Sequence, residues 1–75
     1  MSKTISYIDM RGITQTVAED KAQQLLTYIS KQVATCYDTI AACKRLGDAK
    51  GVKQYEGQIA AMLKVSDQLT VAVLG

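Results

Sequence analysis

Two long segments of the chain carry apolar residues at alternating spacings of three and four, and they meet at a short break, Gly47-Asp48. This spacing places the apolar residues on one face of an α-helix. The face before the break carries Ala18, Ala22, Leu25, Ile29, Val33, Cys36, Ile40 and Cys43, and the face after it carries Val52, Tyr55, Ile59, Met62, Leu69 and Val73. The pattern predicts two helices, at about 16–46 and 49–74, folded into an antiparallel hairpin, so the expected fold is all-α.

Polar residues and glycine mark the predicted helix ends. Thr16 and Glu19 have the spacing of a capping box, in which the two side chains bond free backbone N–H groups of the first turn. Gly47 suits the left-handed position that ends a helix, and Asp48 suits the N-cap of the next helix. The two glycines inside the second helix are each expected to cost about 1 kcal/mol relative to alanine.

The apolar faces are wide, covering arcs of about 120–140° when the helices are projected at about 100° per residue. One neighbouring helix does not cover an arc of that width. We therefore expect a homo-oligomer, in the simplest case a dimer that forms a four-helix bundle. The positions expected in the oligomer core are Leu25, Ile29, Val33, Ile40, Ile59, Met62, Leu69 and Val73. The projection also places Tyr37, Leu63 and Leu74 on these apolar arcs.

Residues 1–15 are assigned to an N-terminal arm, and residues 16–75 to the helical hairpin domain. The arm carries Ile5, Tyr7, Ile8 and Met10, whose spacing is typical of neither a helix nor a strand. It can form a short helix that caps the bundle, an extended arm that reaches a neighbouring chain, or a flexible tail. Four sizeable apolar residues within six positions are unusual for disorder, which favours an ordered arm.

Composition indicates a small globular protein of the cytoplasm. Of its 75 residues 48% are hydrophobic, and the formal net charge is only +2, so no general attraction to nucleic acid or to an anionic membrane is expected. No run of about 18 apolar residues predicts a membrane span, and no signal-peptide core follows the start. Cys36 and Cys43 lie about 10.5 Å apart along one predicted helix, too far for a disulfide within the chain, and are interpreted as reduced core residues. A disulfide between two chains is the alternative.

The residue types required for most catalytic sites are missing from the sequence. Without histidine, no Ser-His or Cys-His nucleophile pair can form, and two cysteines alone make a zinc site improbable. No glycine-rich phosphate loop is present. We therefore expect a protein that is not an enzyme and that uses no metal and no cofactor.

Two groups of outward residues are candidates for binding a partner. The first lies at the hairpin tip and consists of Lys44, Arg45, Lys50 and Lys53, which could contact phosphates or an acidic protein surface. Compensation of the helix dipole and ordinary solubility are the plainer explanation of these cations. The second is Tyr28 with Lys21 and Lys31, an aromatic anchor framed by cations. An isolated exposed aromatic is also common, and the arm could cover this one.

Three functions fit this reading. The leading hypothesis is a non-enzymatic, oligomeric interaction protein that acts as an adaptor, regulator or inhibitor by binding another protein. The first alternative is a nucleic-acid-binding hairpin dimer, whose affinity would fall steeply with salt. The second alternative is a self-assembling subunit of a filament or shell, or an oligomer that encloses a small ligand.

Overall fold

The computed structural model describes residues 3–75, which form two strands followed by two helices. The elements are β1 (Thr4–Ile8), β2 (Thr14–Ala18), α1 (Glu19–Leu46) and α2 (Ala49–Leu74). The two helices pack against each other along their length, and the strands form a two-stranded antiparallel sheet. The chain is therefore mostly helical, but the all-α prediction is wrong at its N-terminal end.

Helix α1 begins at Glu19, three residues later than predicted, because Thr16 belongs to β2. The Thr16 hydroxyl lies 3.2 Å from the Ser6 hydroxyl on β1, and the N-cap residue, Ala18, makes no side-chain cap bond. The predicted capping box is therefore not formed. Acidic residues Glu19 and Asp20 in the first turn still oppose the positive end of the helix dipole.

The turn between the helices has the predicted form. Gly47 adopts the left-handed conformation (φ 72°), and its N–H bonds the Lys44 carbonyl at 3.2 Å. The Asp48 N–H bonds the Cys43 carbonyl at 2.9 Å, while the Asp48 carboxylate accepts the Gly51 N–H at 3.0 Å. Free backbone groups at both helix ends are thus satisfied within a two-residue connection.

The arm is ordered as a β-hairpin on its own chain. The register pairs Thr4 with Ala18 and Ile8 with Thr14, and side chains alternate between a face toward the helices and a solvent face. Ile5 is 2% exposed and belongs to the main core. The capping helix, the reach to another chain and the flexible tail are therefore not what the structure shows.

Strand β1 lies against the C-terminal half of α2. The Gln68 side-chain amide accepts the Ile8 N–H at 2.9 Å and donates to the Ile8 carbonyl at 3.0 Å. The Lys3 ammonium donates to the Ala72 carbonyl at 2.7 Å. Gln68 thus makes the two backbone bonds that a neighbouring strand would make.

The main core lies between the two helices and under β1. Its buried residues are Ile5, Ala22, Ile29, Cys36, Ile40, Ile59, Met62, Val65 and Leu69. Of the eight positions predicted for an oligomer core, five are buried here, and Leu25, Val33 and Val73 are half-buried against them. One chain therefore covers these positions without a second copy. Tyr37, Leu63 and Leu74, which the projection placed on the apolar arcs, are exposed in the single chain. Both cysteines are free thiols.

The loop between the strands is organised by the carboxylate of Asp9. It accepts the backbone N–H groups of Arg11 (2.9 Å) and Ile13 (3.0 Å), the side-chain amide of Gln15 (3.0 Å) and the Arg11 guanidinium (3.3 Å). The bond from Ile13 and then the bond from Gln15 are the main causes that lower the pKa of Asp9 from 3.8 to about 2. The ionised form is therefore the one that the folded loop favours.

We expect the β-hairpin to loosen in acid because of this carboxylate. A depressed pKa contributes stability that is present above about pH 4 and is lost as the pH falls toward 2. Protection factors of the hairpin amides, measured by NMR between pH 2 and 5 and corrected for the intrinsic pH dependence of amide exchange, should therefore fall in acid. In Asp9→Asn this fall should largely disappear, and the hairpin should already be less protected at pH 6. Asp38→Asn, at an exposed position of α1, is the control; an equal effect there would contradict the role of Asp9.

Candidate partner-binding surfaces

The hairpin turn presents four cations and one leucine to solvent. This tip surface consists of Lys44, Arg45, Leu46, Lys50 and Lys53, all exposed, with Leu46 84% exposed. Lys44 and Arg45 lie in the last turn of α1, where cations oppose the negative end of the helix dipole. The candidate site predicted from the sequence included these four cations but not Leu46. A single exposed leucine is common on protein surfaces, so Leu46 alone does not identify a binding surface.

The charge of the tip surface is only weakly compensated. The nearby Asp48 carboxylate is engaged by the Gly51 N–H at the start of α2. Within residues 3–75 the ion pair of Arg11 with Asp9 is the only one, so none of the tip cations has a carboxylate partner within 4.0 Å. Apart from Asp48, the acidic residue beside this surface is Glu56, which lies one turn after Lys53 on α2.

Two shallow depressions adjoin the tip surface. The first has a volume of about 390 Å³ and is lined by Lys44, Gly47, Asp48, Ala49, Val52, Lys53 and Glu56. The second, of about 300 Å³, is lined by Tyr37, Ile40, Lys44, Glu56, Ile59, Ala60 and Leu63, and is called the apolar groove below. Because Lys44 and Glu56 line both, the two depressions are neighbours on one face of the helical hairpin.

The apolar groove contains two residues that the helical projection placed on the apolar arcs. Tyr37 is 57% exposed and Leu63 is 43% exposed. The β-hairpin bonds α2 at Gln68 and Ala72, in the half of the helix away from the turn. The sequence indicated such a groove, because the apolar arcs of the helices are wider than one neighbouring helix can cover.

The second predicted site is an exposed face of α1. Tyr28 is 60% exposed, and Lys21 and Lys31 are exposed on the same side of the helix, at spacings of seven and three residues. The β-hairpin leaves this tyrosine open to solvent. No depression comparable to those at the tip is lined by these three residues.

A metal site, a membrane-crossing helix and similarity to known proteins are three further indications of function that can be examined. Residues 3–75 contain no group of three or more acidic, histidine or cysteine residues placed to hold a metal ion. Within the same range, neither helix is both long enough and apolar enough to cross a bilayer. Comparison of the chain with protein-family models, curated proteins and solved structures found no match.

Proposed function

We propose that this chain is a non-enzymatic interaction protein, an adaptor, regulator or inhibitor of another protein. The proposed binding surface is the tip surface together with the apolar groove. The observation that supports this choice is the continuity of the apolar groove with a neighbouring depression that is lined by Lys44 and Lys53, two cations that lack ion-pair partners. Apolar grooves of this kind receive the apolar face of an amphipathic helix, and cations beside them select an acidic one.

An acidic amphipathic helix of the partner would bind with its apolar side chains between Tyr37 and Leu63. Its carboxylates would then face Lys44 and Lys53 on the neighbouring rim. Exposed aromatic and cationic residues at the centre of such a contact are the types that contribute most to binding free energy. Nucleic acid is the less favoured ligand, because the floor of the groove is apolar, and Glu56 on the rim acts equally against phosphates and carboxylates.

Charge reversal at two places on the surface tests this proposal. Lys44→Glu with Lys53→Glu changes the charge at the tip, and Lys21→Glu with Lys31→Glu makes the same change beside Tyr28. We expect the first double variant to weaken binding of the native partner at least tenfold, which corresponds to about 1.4 kcal/mol. The second should bind normally. Affinity capture from the source cells identifies the partner, and titration calorimetry with that purified partner gives the affinities.

The remaining outcomes of the same measurements contradict specific parts of the proposal. If only the pair beside Tyr28 weakens binding, the partner binds that face of α1 and the tip assignment is wrong. If the captured partner is removed by nuclease, and log K falls linearly with log salt, the ligand is nucleic acid. Circular dichroism of both double variants should match the parent, since all four lysines are exposed.

A further inference from the structure

The β-hairpin has backbone polar groups that point away from the sheet on both of its sides. Hydrogen-bonded and non-hydrogen-bonded residue pairs alternate along an antiparallel ladder. The Glu19 N–H bonds the Lys3 carbonyl at 2.9 Å and the Asp9 N–H bonds the Ile13 carbonyl at 3.0 Å, so odd-numbered residues pair across the sheet. The outward N–H and C=O groups therefore belong to Thr4, Ser6 and Ile8 on β1 and to Thr14, Thr16 and Ala18 on β2.

The two edges of the sheet differ in how they are covered. The edge of β1 lies beside α2, which packs along this strand and whose Gln68 amide satisfies both outward groups of Ile8. Among residues 3–75 the outward groups of Thr4 and Ser6 have no hydrogen bond to another element, so it is the packing of α2 that covers this edge. Strand β2 contacts α1 but does not approach α2. Among residues 3–75, no hydrogen bond to another element reaches the outward backbone groups of Thr14 and Thr16. The edge of β2 is therefore open.

The open edge lacks the features that usually prevent strand pairing. Residues 14–18, Thr-Gln-Thr-Val-Ala, include no charged residue and no proline, and all five pair in regular register without a bulge. Exposed strands of soluble proteins are commonly protected by one of these features. A row of free backbone donors and acceptors at strand spacing is complementary to another extended strand and to little else.

We propose that the occupant of this edge is β2 of a second copy, paired antiparallel about Thr16. In this register Thr16 lies opposite Thr16 of the second copy, Thr14 lies opposite Ala18, and no like charges face each other within the strands. The loop with Arg11, whose side chain is 73% exposed, then lies near the start of α1 of the second copy. That start carries Glu19 and Asp20 against one cation, Lys21. The loop also carries Asp9, the ion-pair partner of Arg11, but the Asp9 side chain is only 16% exposed, so the charge that the loop presents to the start of α1 is the Arg11 guanidinium.

Because α2 packs beside the edge of β1, that edge does not accept a further strand, and the assembly is limited to two chains. Each copy offers one open edge, and pairing of two identical open edges about a two-fold axis uses both. The product is a four-stranded sheet whose outer strands are covered at Gln68 of each copy. A closed dimer, rather than a filament, is therefore the assembly that this sheet supports. This inference concerns self-association and does not depend on partner binding at the tip surface or the apolar groove.

Lysine substitutions on the two strands test the pairing. Thr16→Lys puts two ammonium groups directly opposite each other in the proposed dimer. It leaves the backbone bonds between β1 and β2 in place and removes only the side-chain bond of Thr16 to Ser6. Thr4→Lys is the matched control, because Thr4 is also exposed on the solvent face but lies on β1. Sedimentation equilibrium of the full chain should show a dimer for the parent and for Thr4→Lys. The dimer dissociation constant of Thr16→Lys should be at least tenfold higher.

A cysteine at the two-fold axis gives an independent measurement. Directly opposed hydrogen-bonded residues have Cα and Cβ atoms both about 5.5 Å apart, which is too far between the Cβ atoms for a relaxed disulfide but within reach of a short bis-maleimide cross-linker. With that cross-linker Thr16→Cys should run as a covalent dimer on a denaturing gel, whereas Thr4→Cys should not exceed the background of the parent. A chain that stays monomeric up to millimolar concentration overturns the proposal. So does a dimer that Thr16→Lys leaves unchanged, since it would assign self-association to another surface.

Discussion

Leu69→Ala should remove a large part of the stability of this protein. Leu69 is 0% exposed and lies in the main core between α2, α1 and the β-hairpin. Truncation of a fully buried leucine costs about 2–5 kcal/mol, from lost transfer free energy and from the cavity that remains. At about 0.05–0.15 kcal/mol per residue, a chain of 75 residues has only about 4–11 kcal/mol in total. The midpoint of urea unfolding followed by circular dichroism measures the loss.

The matched control for this change is Leu74→Ala, five residues further along the same helix. Leu74 is 82% exposed, so its truncation should change the free energy of unfolding by no more than about 0.5 kcal/mol. Equal losses in the two variants would mean that the last turns of α2 do not pack as described here.

Gly51→Ala should destabilise the protein, whereas Gly57→Ala should stabilise it, although both replace a glycine inside α2. A Cβ atom at position 51 would lie 2.5 Å from a carboxylate oxygen of Asp48 and 2.9 Å from the Cys43 sulfur. The Asp48 carboxylate would have to move and give up its N-cap bond to the Gly51 N–H, at a cost of about 0.5–2 kcal/mol. Crowding against α1 adds to that cost.

The helix-propensity gain of about 1 kcal/mol does not offset both losses at position 51, so a net loss of about 1 kcal/mol is expected there. At position 57 no atom lies within 4 Å of the added Cβ, and the propensity gain of up to about 1 kcal/mol should appear in full. Thermal and urea unfolding of the two variants measure the difference. A gain at both positions would show that the turn between the helices is packed more loosely than described.

The helical hairpin could be predicted because its signals are local. Apolar spacing sets the helix faces, and the Gly47-Asp48 pair sets the turn through its own backbone conformation and side-chain bond. Helix propensity alone does not predict how much each glycine in α2 lowers the stability of the protein. Position 51 differs from position 57 only through Asp48 and through Cys43 on the other helix, and residue identity does not show the second contact.

The β-hairpin could not be predicted with the same reasoning, because each strand is only five residues long. The alternation of Ile5, Ser6 and Tyr7 is present, and Gly12 supplies a positive φ of 83° in the loop, but such short runs are ambiguous. What stabilises the hairpin is its docking on α2 through Gln68, 60 residues from Ile8. A helical projection likewise gives the direction of Tyr37 but not whether any element covers it.

The contact between Ile8 and Gln68 also sets an order of events during synthesis. Because 60 residues separate the two, β1 leaves the ribosome long before the part of α2 that covers it exists. At about 5–20 residues per second, translation of the intervening segment takes about 3–12 s. Throughout that interval both strand edges of the nascent hairpin are uncovered, while the helices can pair as soon as α2 emerges. Docking of the sheet at Gln68 therefore cannot begin before the C-terminal half of α2 has been made.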